Sequence, residues 1–353
     1  MTHADAPLDR KIAFHGIDVA RVTFRKTLIV CVVLLVALLV LVVLTSLFGS
    51  ERIPIKASVY AVLSLGRHSC GLTSDQSAIL FEIRLPRIIL AAAVGASLAA
   101  AGASYQALLR NPLAEPYLLG ISNGAAVGTM LALVFFGASI WSRPLLAFSG
   151  ALLATLVVYR LAHGRAGATP ERLILAGVIV TTFLSSAIVF VTTLMDATRI
   201  RSFTFWLLGD LSGTTTSLLS LALLVAIAGT AVLAANARSL NLLMLGERDA
   251  FDLGVEVGRV RLVVFIAASL LVGSSVASSG SVGYVGLVVP HLVRLSLGSD
   301  NRMTIPAASI CGALFVVIAD TIARTIIAPR ELPVGAITAL IGAPLFIYLL
   351  KRG

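Results

Sequence analysis

Residues 28–48 read LIVCVVLLVALLVLVVLTSLF, an unbroken apolar run bounded by Lys26 and Glu51. About 20 such residues carry an α-helix across a bilayer core. The run exceeds the roughly 7 to 15 residues of a signal-peptide core, and no small-x-small cleavage site follows, so it reads as an uncleaved first membrane helix.

The rest of the chain repeats this pattern. With 58% hydrophobic and 12% charged residues over 353 positions, and a mean hydropathy of +1.00, it has too few polar side chains to cover a water-soluble surface. Further uncharged runs occupy 88–109, 116–142, 144–159, 173–195, 211–237, 262–293, 303–319 and 332–350. The run 262–293 is too long for one span, and GSSVASSGSVGYVG in its middle supplies a turn. Splitting it gives ten transmembrane helices: an all-α polytopic membrane protein with both termini on one side. Residues 1–26 form a basic N-terminal segment, and 27–353 form a single transmembrane domain.

Placing the N-terminus in the cytoplasm puts 17 of the 27 Lys and Arg residues in inner segments, as the retention of positive charge inside requires. The net charge of +10 is then a topology signal. Its partner is membrane lipid, with no nucleic acid implied.

Catalytic patterns are missing. There is no GxxxxGK[ST] loop to cradle nucleotide phosphate, and GSVGYVG has no basic residue beside it. Three widely separated cysteines and five scattered histidines suggest neither a disulfide framework nor a metal site. The chain therefore carries no cofactor of its own, and energy for any work comes from an ion gradient or another subunit. Asp320 is the only acid well inside a run, and Arg324 follows at i+4 on the same helical face. So paired, it leaves no free proton carrier for a gradient-driven transporter.

Two polar segments stand out. Residues 110–128, RNPLAEPYLLGISNGAAVG, place Pro112 and Pro116 between apolar runs. Each proline removes a backbone donor and disfavours helix before it. Irregular backbone at membrane depth survives only when buried in protein or lining an aqueous cavity. Residues 237–261, ARSLNLLMLGERDAFDLGVEVGRVR, form the longest inner connection. Gly246 and Gly254 punctuate it, and Leu242, Leu243, Leu245, Phe251 and Leu253 are more apolar than a loop facing water should be. They suggest a docking surface for a soluble partner.

Four stretches then carry a resemblance: EIRLPRIILAAAVGASLAAAGASYQALLRNPLAEPYLLGISNGAAVG, NLLMLGERDAFDLGV, SGSVGYVGLVVPHLVRL and ELPVGAITALIGAPLFIYLL. In content, order and spacing the chain resembles a permease of the FecCD family, the type II ABC importers of iron complexes and cobalamin, from about residue 79 to the C-terminus. The resemblance implies ten spans and a second copy of the permease beside the first. It also implies two ATPase subunits holding ATP and Mg beneath, a periplasmic substrate-binding protein above, and a place in the bacterial inner membrane with both termini cytoplasmic.

Site residues follow position by position. Segment 238–261 resembles the family's coupling loop, carried by Gly246, Glu247, Asp249, Leu253 and Gly254. Asn111 and Leu113 match the cytoplasmic gate. A second constriction maps to Thr169, Pro170 and Glu171, where this chain departs from the small hydroxyl residues of cobalamin-importing members. Arg84 and Arg87, three apart on one face, and Arg324 match arginines that meet glutamates of the binding protein. At the translocation entrance Arg201 matches an arginine of cobalamin-importing members, whereas Arg199 is additional. Two arginines there suit an anionic cargo such as haem, whose propionates take charge-assisted hydrogen bonds. Haem is expected ahead of ferric siderophore, then cobalamin, with an ion-coupled secondary transporter or a non-transporting receptor as rival readings.

Overall fold

The computed structural model describes residues 23–49, 53–64, 71–136, 141–164 and 167–352. Most of the tail expected over 1–26 lies outside the described residues, as do His68 and Cys70. Among the described residues seven helices are long and apolar enough to cross a membrane: α1 (Phe24–Ser46), α2 (Ser74–Leu108), α4 (Ser142–Ala162), α5 (Pro170–Thr192), α6 (Thr216–Ala235), α7 (Val257–Ser279) and α9 (Asn301–Thr325). Three shorter apolar helices, α3 (Ile121–Phe135), α8 (Val285–Leu297) and α10 (Val334–Arg352), complete the ten expected. The 262–293 run breaks within the glycine- and serine-rich stretch as anticipated: α7 ends before Gly280, whose φ of +67° suits a residue without Cβ.

Other boundaries differ from the charge-free runs, for local reasons. Helix α3 starts at Ile121 rather than 116 because Pro116–Leu119 coils as a single 3₁₀ turn, closed by Gly120 in the left-handed region. Helix α2 begins well before residue 88. Pro86 has no N–H to continue the α ladder, and the hydrogen bonds loosen to π spacing over Ile79–Arg84. An additional helix, Ala197–Leu207, precedes α6. Its N-cap is Asp196, whose side chain accepts the Arg199 N–H.

Helix α2 is the axis of the bundle: it packs against α6, α7, α8 and above all α9. Close approach depends on absent side chains. A Cβ on Gly95 would collide with the Gly312 carbonyl of α9, and one on Gly102 with the Gly286 carbonyl of α8. Small residues here do what apolar contact alone cannot do in lipid, which offers no hydrophobic drive between helices. A buried hydrogen bond of 2.6 Å between Tyr105 and Ser269 ties α2 to α7.

Candidate functional site

At the end of the bundle that the charge reading places inside, the 237–261 segment folds as two short helices, Ala237–Leu245 and Glu247–Asp252. Gly246, at φ +154°, and Gly254, at φ +82°, provide the turns on either side of the second helix. Leu240, Leu243 and Ala250 are buried against the bundle. Leu245, Phe251 and Leu253 point away from it, 69%, 71% and 62% exposed. A surface of that kind, beside exposed Asp249, calls for a partner.

This pair of helices is anchored to its neighbours. Glu247 forms an ion pair with Arg261 at the start of α7, and the same guanidinium donates to the Ala168 carbonyl. Ala168 immediately precedes Thr169, the N-cap of α5, with Pro170 and Glu171 in the first turn. One arginine thus connects Glu247 to the start of α5. Asn241 supplies a further tie, donating to Asp300 at 2.7 Å and accepting from the Asn301 backbone at 2.9 Å. Burial works to raise the Asp300 carboxyl, but hydrogen bonds from Arg302 and Asn241 outweigh it and hold the group below its ordinary range.

The 110–128 stretch is built as an interlocking turn. Asn111 Oδ1 accepts the Leu113 N–H at 2.9 Å, an Asx turn that leaves Leu113 47% exposed. Beyond it, the Tyr117 hydroxyl donates to the Val282 carbonyl at 3.0 Å and accepts the Val282 N–H at 2.9 Å. Glu115 accepts the N–H of Tyr284, itself at φ +66°. Gln106 donates to the Gly286 and Leu287 carbonyls and accepts from Arg294. The irregular backbone between α2 and α3 and that between α7 and α8 therefore satisfy one another. Helix α5 closes over the same turn, where Asn123 of α3 donates to the Thr181 carbonyl and to Ser185. The sequence reading named Asn111 and Leu113 but missed Glu115, Tyr117 and Tyr284. All three stand within its quoted motifs, yet no helical period pairs residues so far apart.

At the opposite end, Arg84, Arg87 and Arg324 converge on one cavity of about 170 Å³ together with Glu331. They are only 4%, 7% and 5% exposed. Asp320 bridges two of them, at 2.9 Å from Arg87 and 2.9 Å from Arg324, and Glu331 lies 2.6 Å from Arg87. Arg84 donates to the Ser46 carbonyl at the end of α1. The reading that Arg324 pairs with Asp320 at i+4 is what the structure shows, with Arg87 as an added partner. Arg84 and Arg87, three apart, both reach this cavity, and both are buried there, where charge is stable only when internally paired. Locked between two guanidinium groups, Asp320 is poorly placed to exchange protons. Arg199 is half exposed and pairs with Asp196 at 3.2 Å, while Arg201 lies 5.9 Å above the Phe205 ring. Among the described residues no cluster of His, Cys, Asp and Glu could hold a metal ion.

Among the described residues, ten apolar helices around a glycine-packed axis, with two short helices at one end that expose apolar side chains, define a polytopic membrane protein. More particularly, the FecCD transport family model matches residues 16–352, and the chain belongs to that family. It is 42% identical over 281 residues to the cobalamin import system permease protein BtuC of Halobacterium salinarum, covering 80% of this chain and 75% of the relative. It is 39% identical over 298 residues to the hemin transport system permease protein HmuU of Yersinia pestis, covering 82% and 89%. The solved structure of a metal-chelate type ABC transporter in an inward-facing conformation superposes with a TM-score of 0.81 at 29% identity, covering 92% of this chain and 99% of that one. The chain is thus an ABC importer permease; such permeases are not themselves enzymes.

Proposed function

We propose that this permease moves an iron complex, haem in preference to ferric siderophore, from the periplasm to the cytoplasm across the bacterial inner membrane. Two copies stand side by side with both termini cytoplasmic. Two ATPase subunits, which hold ATP and Mg, dock on Gly246, Glu247, Asp249, Leu253 and Gly254, and a periplasmic binding protein docks above Arg84, Arg87 and Arg324. Because those arginines are nearly buried and internally paired, docking carboxylates must compete with Glu331, the one half-exposed acid of the cluster. Movement of the docking helices reaches Thr169, Pro170 and Glu171 through the Glu247–Arg261–Ala168 connection, beside the turn that carries Asn111 and Leu113.

The observation favouring haem is the helix Ala197–Leu207, which offers Arg199 and Arg201 on an exposed, aromatic-bearing surface. Propionates take charge-assisted hydrogen bonds from guanidinium groups, and pathway contacts of this kind must stay weak enough to release the cargo. A second reading, cobalamin, is favoured by the 42% identity to a cobalamin permease. Uptake into vesicles containing permease, ATPase and binding protein separates the two. Arg199→Ala should lower haem uptake roughly tenfold, one charge-assisted contact, and leave ferric siderophore uptake unchanged. Equal loss for both cargos removes the haem argument, and brisk cobalamin uptake indifferent to Arg199 establishes the second reading.

A further inference from the structure

Two cavities at the outer end of the bundle share a wall. The first, about 150 Å³, is an apolar slot between α4, α6 and α7, bounded by Trp141, Phe148, Ala222 and Val225. Leu145 and Leu221 on its rim are 59% and 53% exposed, so the slot opens on the belt of side chains that faces lipid. The second, about 360 Å³, is a mixed chamber whose polar lining is Arg143, Asp210, Ser212, Thr214 and Thr215. Pro144, Leu218, Ala277 and Ser278 line both. The two therefore lie side by side, an apolar slot next to a chamber that carries charge, and an amphiphile could occupy both.

The chamber holds one group of each sign, and they do not neutralise each other. Among the described residues, Arg143 has neither an ion-pair nor a hydrogen-bond partner. Asp210 accepts the Ser212 N–H on one oxygen at 2.8 Å, and among the described residues its other oxygen accepts none. Helix α4 begins at Ser142 without a side-chain cap, so its first-turn N–H groups and the positive end of its dipole lie at the same mouth. This is the complement of an amphiphile with an anion next to its apolar part and a cation beyond.

We propose that this pair of cavities binds one glycerophospholipid with an ethanolamine headgroup. An acyl chain fills the slot, the phosphate meets Arg143 and the start of α4, and the ammonium donates to Asp210. A glycerol headgroup lacks the cation that Asp210 would take. A choline headgroup carries the charge without an N–H to donate, and the chamber's carboxylate and hydroxyls reward a donor.

The chain has two tryptophans. Trp141 bounds the slot and Trp206 lines the chamber, so Trp206→Phe leaves Trp141 as a single fluorescent reporter of slot occupancy. In phosphatidylcholine vesicles containing a small fraction of acyl-brominated phosphatidylethanolamine, quenching of Trp141 should exceed the level of random mixing. Acyl-brominated phosphatidylcholine at the same fraction should give only that level. Arg143→Gln should weaken the apparent affinity roughly tenfold, Asp210→Asn should abolish the preference for ethanolamine over choline, and Ala222→Phe should lower quenching by every lipid. Random-mixing quenching throughout, or an ethanolamine preference that survives Asp210→Asn, overturns the proposal. A readout independent of any variant is native mass spectrometry of the delipidated full chain offered equal amounts of the three lipids. One retained phosphatidylethanolamine is expected; preferential retention of phosphatidylcholine or phosphatidylglycerol overturns the assignment.

Discussion

Helices α1 and α2 invert the rule of soluble proteins. The apolar window of α1 has a mean hydropathy of 3.6 and no buried residue, whereas that of α2 has 1.8 and is 83% buried. The more hydrophobic helix lies at the periphery, and the one rich in Gly, Ala and Ser is the axis. In a bilayer, large apolar side chains are at home against lipid and gain little from each other. Close backbone approach and internally satisfied polar groups hold the centre. Hydropathy therefore locates a span, and its small and polar residues show how deep in the bundle it sits.

The contrast is sharpest at the polar end of α2. Replacing Asp320 by Ala leaves Arg87 and Arg324 buried without their shared carboxylate, at a cost of about 3–5 kcal/mol. Thermal unfolding of the purified chain in detergent should show a collapse of stability; a near-wild-type transition would mean that water or Glu331 already carries these charges. A smaller loss, about 1–3 kcal/mol, is expected from Gly95→Val, whose side chain would meet the Gly312 carbonyl. The same assay checks it, and the compensating search is a second change on α9 that restores the transition. At the far end of the scale, Val36→Ala on α1, 54% exposed, should stay within about 0.5 kcal/mol. If it cost as much as Gly95→Val, α1 would be packed against protein rather than lipid, and the comparison between the two helices would fail.

Much of this architecture was legible because charge is costly in a bilayer, so Lys, Arg, Asp and Glu punctuate the chain wherever it emerges. The split of 262–293 at Gly280, the short helices that Gly246 and Gly254 punctuate, and the Asp320–Arg324 pair are all local, written within a few residues. What stayed hidden is non-local. Arg87 meets Asp320 across 233 positions, and Glu115 meets Tyr284 across 169. Neither separation leaves a trace in periodicity. The burial of Arg87 stayed hidden for the same reason, since its carboxylate partner arrives from α9. The late start of helix within the 116–142 run, by contrast, was foreshadowed by Pro116 itself.

The two-way hydrogen bond of Tyr117 with Val282 bears on how such a subunit moves. Prising the turn before α3 from the turn before α8 would strand a carbonyl and an amide together in a medium that offers neither a substitute. Compliance is therefore displaced to the rims, where water can fill in behind a shifting loop. A body stitched through its middle in this way resists bending at the waist.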